Sequence, residues 1–269
     1  MMTKRRLLID GDILLYKIAT QAEQPTDWGD GLWTLHADFN ITTTEVDEAI
    51  QKLLDDLQAD FYTMALSSHS NFRKKILPTY KANRIEKRKP ILLTALRSYV
   101  LQNHNGLVWE HLEADDVCGI LSTTNSKEEK IIVSIDKDLK QIPGLLSVDG
   151  KDVSVVSRAS ADYAFMKQTL TGDAVDGYTG VPGIGEKTAE KILRDLHGES
   201  FPVLLDAVCE QYEKANLSVC EFITQARVAR ILRAEDYNKK TKQIKLWGKN
   251  HLLNYNLYNG ECWSEGAYI

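Results

Sequence analysis

The sequence predicts an α/β fold, a mostly parallel central sheet flanked by helices and followed by a C-terminal helical region. Three observations carry this. Over residues 1–157, short apolar runs suited to buried strands alternate with segments of helical period. Two of those runs, Leu7-Leu8-Ile9 and Ile131-Ile132-Val133-Ser134-Ile135, end directly in an aspartate, Asp10 and Asp136. After about Ser157, helical periods take over.

The elements follow in order. Lys4 to Asp10 reads as a buried strand. Thr44 before Glu45-Val46-Asp47-Glu48 reads as a helix start, with Val46, Ala49, Ile50, Leu53, Leu54 and Leu57 at helical spacing. Phe61 to Leu66 is a second strand, and Pro90 opens a helix whose stripe is Leu93, Leu96, Val100 and Leu101. Gly106 to Glu110 and Lys130 to Ile135 are the third and fourth strands, and Leu145–Val148 with Val153–Val156 form a hairpin across Gly150. Ala161–Leu170, Lys187–Leu196, Val203–Lys214 and Glu221–Leu232 read as helices. The division this implies is an α/β unit at 1–157 and a closely packed helical region at 158–269.

No run approaches the ~18 apolar residues of a membrane span. The start of the chain turns acidic at Asp10, too soon for a signal peptide, so an intracellular, cytoplasmic protein is expected. Cys118, Cys209, Cys220 and Cys262 are scattered without zinc spacing and read as reduced thiols. The six histidines are equally dispersed. A net charge of −5 conceals a strongly basic segment at about 71–90. Its cations are Arg73, Lys74, Lys75, Lys81, Arg84, Lys87, Arg88 and Lys89, opposed by Glu86 alone. By itself such a run is as readily a solvated helix face as a nucleic-acid contact.

Against that cationic strip stand nine acidic side chains in four clusters: Asp10 and Asp12; Glu113, Asp115 and Asp116; Asp136 and Asp138; Asp173 and Asp176. Each cluster has a plain reading. Asp12 caps a helix, Glu113-Ala-Asp115-Asp116 complements a helix dipole, and Asp173 and Asp176 make turns after Gly172. Together they read differently. Asp10 and Asp136 emerge at the carboxyl rim of the sheet, where open α/β folds bind ligands. At ~100° per residue, Glu113 and Asp115 flank the apolar stripe of their helix while Asp116 points away from it. Gathered carboxylates repel one another and need compensating charge, which hard divalent cations supply. The pattern fits two cations ~3.5–4 Å apart and chemistry on a phosphate.

The motifs resemble the 5′→3′ exonuclease/flap endonuclease family, within the PIN-like nucleases, and most closely the exonucleases of short-tailed bacteriophages. They are Ile9-Asp10-Gly11-Asp12; Phe72-Arg73-Lys74 with Pro78-Thr79-Tyr80-Lys81-Ala82-Asn83-Arg84; Leu112-Glu113-Ala114-Asp115-Asp116; Ser134-Ile135-Asp136-Lys137-Asp138; and Gly172-Asp173-Ala174-Val175-Asp176-Gly177 leading to Val181-Pro182-Gly183-Ile184-Gly185. More weakly, Ala229-Arg230-Ile231-Leu232-Arg233 with Tyr237-Asn238 and Leu246-Trp247 resembles the closing stretch of the phage enzymes.

The resemblance implies a PIN-like (resolvase-like) fold with a helical arch, and a nuclease that hydrolyses DNA from 5′ ends or at 5′ flaps in phage replication, recombination or host DNA breakdown, in the host cytoplasm. It also implies action on RNA–DNA hybrids. The implied cofactors are two Mg²⁺ or Mn²⁺ ions. Asp10, Glu113, Asp115 and Asp136 would hold the first and Asp116, Asp138, Asp173 and Asp176 the second. Lys81 and Arg84 would act on the reacting phosphate and Tyr80 would stack on a base. Arg73, Lys74, Lys87 and Lys187 would contact DNA. Gly183 and Gly185 would do so through a helix–turn–helix variant, with K⁺ on its carbonyls.

One departure matters. The family usually carries an aspartate after the second strand; aligned from Phe72, Ser68 stands there. On that alignment Ser68→Asp raises activity or metal affinity. Three other readings compete. A haloacid dehalogenase-type phosphatase shares the Asp10-Gly-Asp12 pattern but leaves the basic segment unexplained. A non-catalytic DNA-structure-binding protein fits Ser68 but needs none of the retained carboxylates. A PIN-type ribonuclease would lack the glycine hairpin.

Overall fold

Apolar alternation along the first strand sets the architecture. In the computed structural model, which describes residues 3–84, 87–248 and 269, β1 (Arg5–Asp10) turns Leu7 and Ile9 to one face of the sheet and Leu8 to the other. Then follow α1 (Gly11–Gln21), the strand pair β2 (Gln24–Asp27) and β3 (Trp33–His36), α2 (Phe39–Asp56) and β4 (Phe61–Leu66). After α3 (Arg73–Ile76) and a 3₁₀ turn at Ala82–Arg84 come α4 (Leu93–Asn103), β5 (Gly106–Val108), α5 (Ala114–Thr123) and β6 (Glu129–Val133). The pair β7 (Gly144–Ser147) and β8 (Ser154–Val156) precedes the helices α6 (Arg158–Thr171), α7 (Glu186–Leu193), α8 (Phe201–Lys214) and α9 (Val219–Ala229).

The main sheet runs β5-β4-β1-β6-β7-β8, parallel except for β8, which returns antiparallel on β7. Leu7, Ile9, Met64, Leu66 and Ile131 pack against Leu15, Val46, Ile50, Leu96 and Val100 of α1, α2 and α4. Leu8, Ala65 and Ile132 pack against Val117 and Cys118 of α5 on the opposite face. Each fully buried aliphatic side chain contributes roughly 1.5–3 kcal/mol. A third core, built on Phe165, Leu170, Leu204, Val208, Phe222 and Ala226, unites α6, α8 and α9. Among the described residues no helix is long and apolar enough to cross a membrane.

Sequence and structure differ at several points. α2 begins at Phe39, capped by Asp38, whose carboxylate accepts from Ile41 N at 3.0 Å. The hydroxyls of Thr42, Thr43 and Thr44 bond carbonyls one turn back, so a threonine run that mimics a start signal lies inside the helix. The β2–β3 hairpin has no buried apolar pattern to announce it, because its turn, Trp28 to Leu32, joins two short exposed strands. The basic segment holds no long helix among its described residues: α3 is four residues long and stops before Pro78. The helix expected to open at Pro90 starts at Leu93.

Among the described residues, no α-helix follows α9. After α9, Ile231, Leu232, Ile244 and Leu246 return to the α/β core beneath α5. A Cβ on Gly119 of α5 would lie 2.4 Å from the Leu232 carbonyl oxygen, so that docking is close. Arg233 binds it further, donating to the Gln141 carbonyl and pairing with Asp162 at 2.7 Å.

Candidate active site

The chain passes from β1 to β4 and β5 on one side, then to β6 on the other, so the sheet switches direction at β1. Ligand clefts form outside the carboxyl ends of strands at such a point. A cleft of about 440 Å³ lies there. Its walls include Asp10, Asp12, Glu113, Asp115, Asp136, Asp138, Asp173 and Asp176, with Lys81 and Arg84.

Each acid is placed by local structure. Asp10, rather than Asp12, caps α1: its Oδ1 accepts from Ile13 N at 3.2 Å, while Ser134 Oγ donates to Oδ2 at 2.9 Å. Asp136 caps the 3₁₀ turn after β6 (Lys137–Gln141), accepting from Asp138 N at 2.8 Å. Gln168 of α6 donates to Asp138 Oδ2 at 2.7 Å. Asp173 and Asp176 sit in a tight loop whose ends meet. Gly180, at φ +58°, has no room for a Cβ, which would fall 2.3 Å from the Leu170 carbonyl oxygen.

Electrostatics divides the acids into two sets. Burial pushes the Asp10 carboxyl up to about 6 despite the Ser134 hydrogen bond, and the charges of Asp12 and Asp136 add to the rise. Burial, with Asp10, Asp136 and Glu113 nearby, raises Asp115 well above the carboxylate range. Burial and Asp136 push Asp138 up to about 6. The second set, Glu113 and Asp176, is paired with cations, although burial still holds Asp176 above its ordinary value. Burial alone would raise Glu113, but Arg73 and Lys81 overcome it and hold Glu113 at about 2. Lys81 Nζ pairs with Glu113, and Arg84 pairs with Asp176. Lys81 is held at φ +54°, a strained backbone, with its N–H donating to the Asp176 carbonyl at 2.7 Å.

Because Asp10 and Asp138 bind protons more tightly folded than unfolded, stability falls as pH rises through about 6. Glu113 opposes this only in more acidic solution, below its unfolded value of about 4.3. In a chelator, the melting temperature is therefore expected to be higher at about pH 5.5 than at about pH 7.5. Calorimetry at the two values checks the sign, and a lower melting temperature at the acidic value refutes it.

Three sequence-based assignments change. Asp116 does not face the cleft. It is fully buried, 0% exposed, and accepts from both Arg73 Nη atoms at 2.7 and 2.8 Å and from Leu232 N at 3.0 Å. With its lone pairs so engaged, it is no ligand for a second cation. Arg73 is 3% exposed and also donates to the carbonyls of Val228 and Arg230, so it makes no DNA contact. Tyr80 is buried and its hydroxyl donates to Glu113 Oε2 at 2.8 Å, so it presents no ring for a base. Reading α5 as an isolated helix missed Asp116 and Arg73, because the chain that encloses them arrives from residues 228–232, and Tyr80 is turned inward by Glu113 and Asp176.

Lys74, Lys87 and Lys187 are exposed. Gly183, at φ +82°, and Gly185 form the turn into α7, and nothing lies within 4 Å of a Cβ built on either. Ser68 turns its hydroxyl to Ser70 at 3.2 Å, and the serine lining the cleft is Ser67. Ser134 and Gln168, which orient acids, lie outside the residues the sequence points to; Ser134 belongs to the motif that runs to Asp138, whereas Gln168 carries no local signal. Among the described residues, no three His, Cys, Asp or Glu side chains are arranged as they stand to hold a metal ion.

A mostly parallel sheet with an acidic cleft at its switch point defines a resolvase-like α/β domain. Residues 5–170 match the family model for the 5′–3′ exonuclease N-terminal resolvase-like domain, and the chain belongs to that family of nucleases. It is 29% identical to the exodeoxyribonuclease of Enterobacteria phage T3 over 280 residues, spanning 90% of this chain and 92% of that protein. It is 28% identical to the exonuclease of Escherichia phage T7 over 280 residues, with the same coverage. Its fold is similar to the T5 5′-exonuclease solved with divalent zinc ions, at a TM-score of 0.58, 16% identity and coverage of 84% of this chain and 89% of that one.

Proposed function

We propose that this nuclease hydrolyses DNA phosphodiesters from 5′ ends and at 5′ flaps, and that it uses divalent metal ions, Mg²⁺ or Mn²⁺. The observation that carries the proposal is the uncompensated half of the cleft, where Asp10, Asp115 and Asp138 are all driven toward protonation. An all-oxygen donor set of this charge suits hard cations. The names of the phage T3 and T7 relatives and the zinc-bound T5 5′-exonuclease support the same reading.

Asp10, Asp115 and Asp136 would hold one ion and Asp138 and Asp173 the other, with Glu113 and Asp176 available once their cations move. Ions bound there would lower the pKa of bound water and neutralise charge on the attacked phosphate. Lys81 and Arg84 bring positive charge to the rim on a strained segment, where a scissile phosphate competes with Glu113 and Asp176 for them. Ser134 and Gln168 fix the rotamers of Asp10 and Asp138. The open turn at Gly183–Gly185 and Lys187 on the first turn of α7 would meet a duplex phosphate through backbone N–H groups, which select structure and not sequence. Cleavage of RNA–DNA hybrids, and K⁺ on the carbonyls of this turn, belong to the same proposal.

Incubation with 5′-labelled duplex and flap DNA plus Mg²⁺ tests it. Short 5′ products are expected from the wild type and none from Asp136→Ala, with binding that weakens steeply as salt rises. Tight flap binding without cleavage in Mg²⁺ or Mn²⁺ overturns the catalytic reading.

A further inference from the structure

The end of β4 carries Ser67 and Ser68 and no carboxylate of its own, yet a carboxylate is present there. We infer that Asp12, reaching across from α1, supplies the acid that β4 lacks and belongs to the metal-binding set. The inference rests on the metal reading above.

The geometry is specific. Asp12 Oδ2 accepts from the Ser67 backbone N–H at 2.9 Å, which fixes the carboxylate over the tip of β4. The first turn of α1 is pressed onto that tip: a Cβ on Gly11 would lie 2.5 Å from Met64 Cγ and 2.8 Å from the Ala65 carbonyl oxygen. Glycine at position 11 therefore permits the approach that delivers Asp12. The side chain is 29% exposed and lines the cleft beside Asp10, Asp115 and Asp136.

Arg97 of α4 completes the arrangement. Its Nη1 pairs with Asp12 Oδ1, and its Nη2 donates to the Ser67 carbonyl at 2.5 Å. One guanidinium thus touches both the carboxylate and the strand end, and it competes with a metal ion for Asp12. The plainer alternative is that Asp12 serves only as the counter-charge of Arg97. The two readings differ in what each substitution does to metal affinity.

Manganese binding, measured by calorimetry on the full chain without DNA, separates them. Asp12→Asn keeps an acceptor for Ser67 N–H and is expected to weaken Mn²⁺ binding about tenfold or more, as loss of a supporting metal-site group does. Adding Ser67→Asp to Asp12→Asn is expected to restore most of the affinity, because it returns an acid to the same spot. Arg97→Gln is expected to leave Mn²⁺ affinity at or above that of the wild type, since it removes a competing cation. If Asp12→Asn leaves Mn²⁺ affinity unchanged while Asp136→Asn weakens it, the assignment is overturned and the metal reading stands. Equal losses of affinity in Asp12→Asn and Arg97→Gln, without rescue by Ser67→Asp, also overturn it. Unaltered Mn²⁺ binding in Asp136→Asn overturns the metal reading and this assignment together.

Discussion

Asp115→Asn is expected to abolish cleavage and to stabilise the metal-free protein. Asp115 stands among Asp10, Asp136 and Glu113 with its carboxyl raised well above the usual range by burial and those charges. Replacing it with a neutral isostere removes repulsion from the folded state while leaving its shape. Relief of about 1–2 kcal/mol corresponds to a rise of roughly 3–6 °C in melting temperature for a chain of this size. The same substitution removes a carboxylate from the proposed metal set, and turnover should fall by about 10³-fold or more, as when a key electrostatic group is lost. Mg²⁺ should raise the wild-type melting temperature, because a ligand that binds the native state stabilises it, and should move the variant far less. Calorimetry with and without Mg²⁺, beside the labelled-flap assay, reads all three. A less stable Asp115→Asn protein that still cuts DNA would show that the acids are not crowded around a cation site.

The second large effect concerns Arg73. Its guanidinium bridges the Asp116 carboxylate and the carbonyls of Val228 and Arg230, sealed from water. Arg73→Ala leaves Asp116 charged and buried, and should cost about 3–5 kcal/mol in urea unfolding. Neutralising both partners, as Arg73→Met with Asp116→Asn, should recover much of that loss, because the cost arises from one uncompensated charge. A DNA-contact role predicts the opposite pattern: stability near wild type and weaker, salt-sensitive binding. Wild-type stability of Arg73→Ala would remove the buried-pair account.

These cases show what was legible in the chain. Asp10 and Asp136 were readable because a strand-ending acid after an apolar run projects from one rim whatever surrounds it. The β7–β8 hairpin and the helices from α6 to α9 were readable from period and turn chemistry, and their limits moved by a few residues. Asp116 was not readable. Its helical position says which way the side chain leaves α5, but not that Leu232 and Arg230 cover that side. Tyr80 and Arg73 failed likewise: a basic, aromatic motif looks solvent-facing until long-range packing folds it inward. Asp12 reads in the sequence either as a cap or as a cleft acid, because the two look alike at the start of a helix. The side chain of Asp10 already fills the capping role, which leaves Asp12 free to reach β4.

The return of the chain to α5 has a consequence for the order of assembly. The lid over the Arg73–Asp116 pair is made by residues 228–232, more than a hundred positions downstream of Asp116. During synthesis, the sheet and its acids emerge from the ribosome well before that lid exists. The pair therefore stays hydrated in the nascent chain until residues 228–232 close over it. Maturation of the cutting centre is thus timed by the arrival of its most distant segment, so a chain interrupted before residue 228 is left with acids in place and no finished scaffold to aim them.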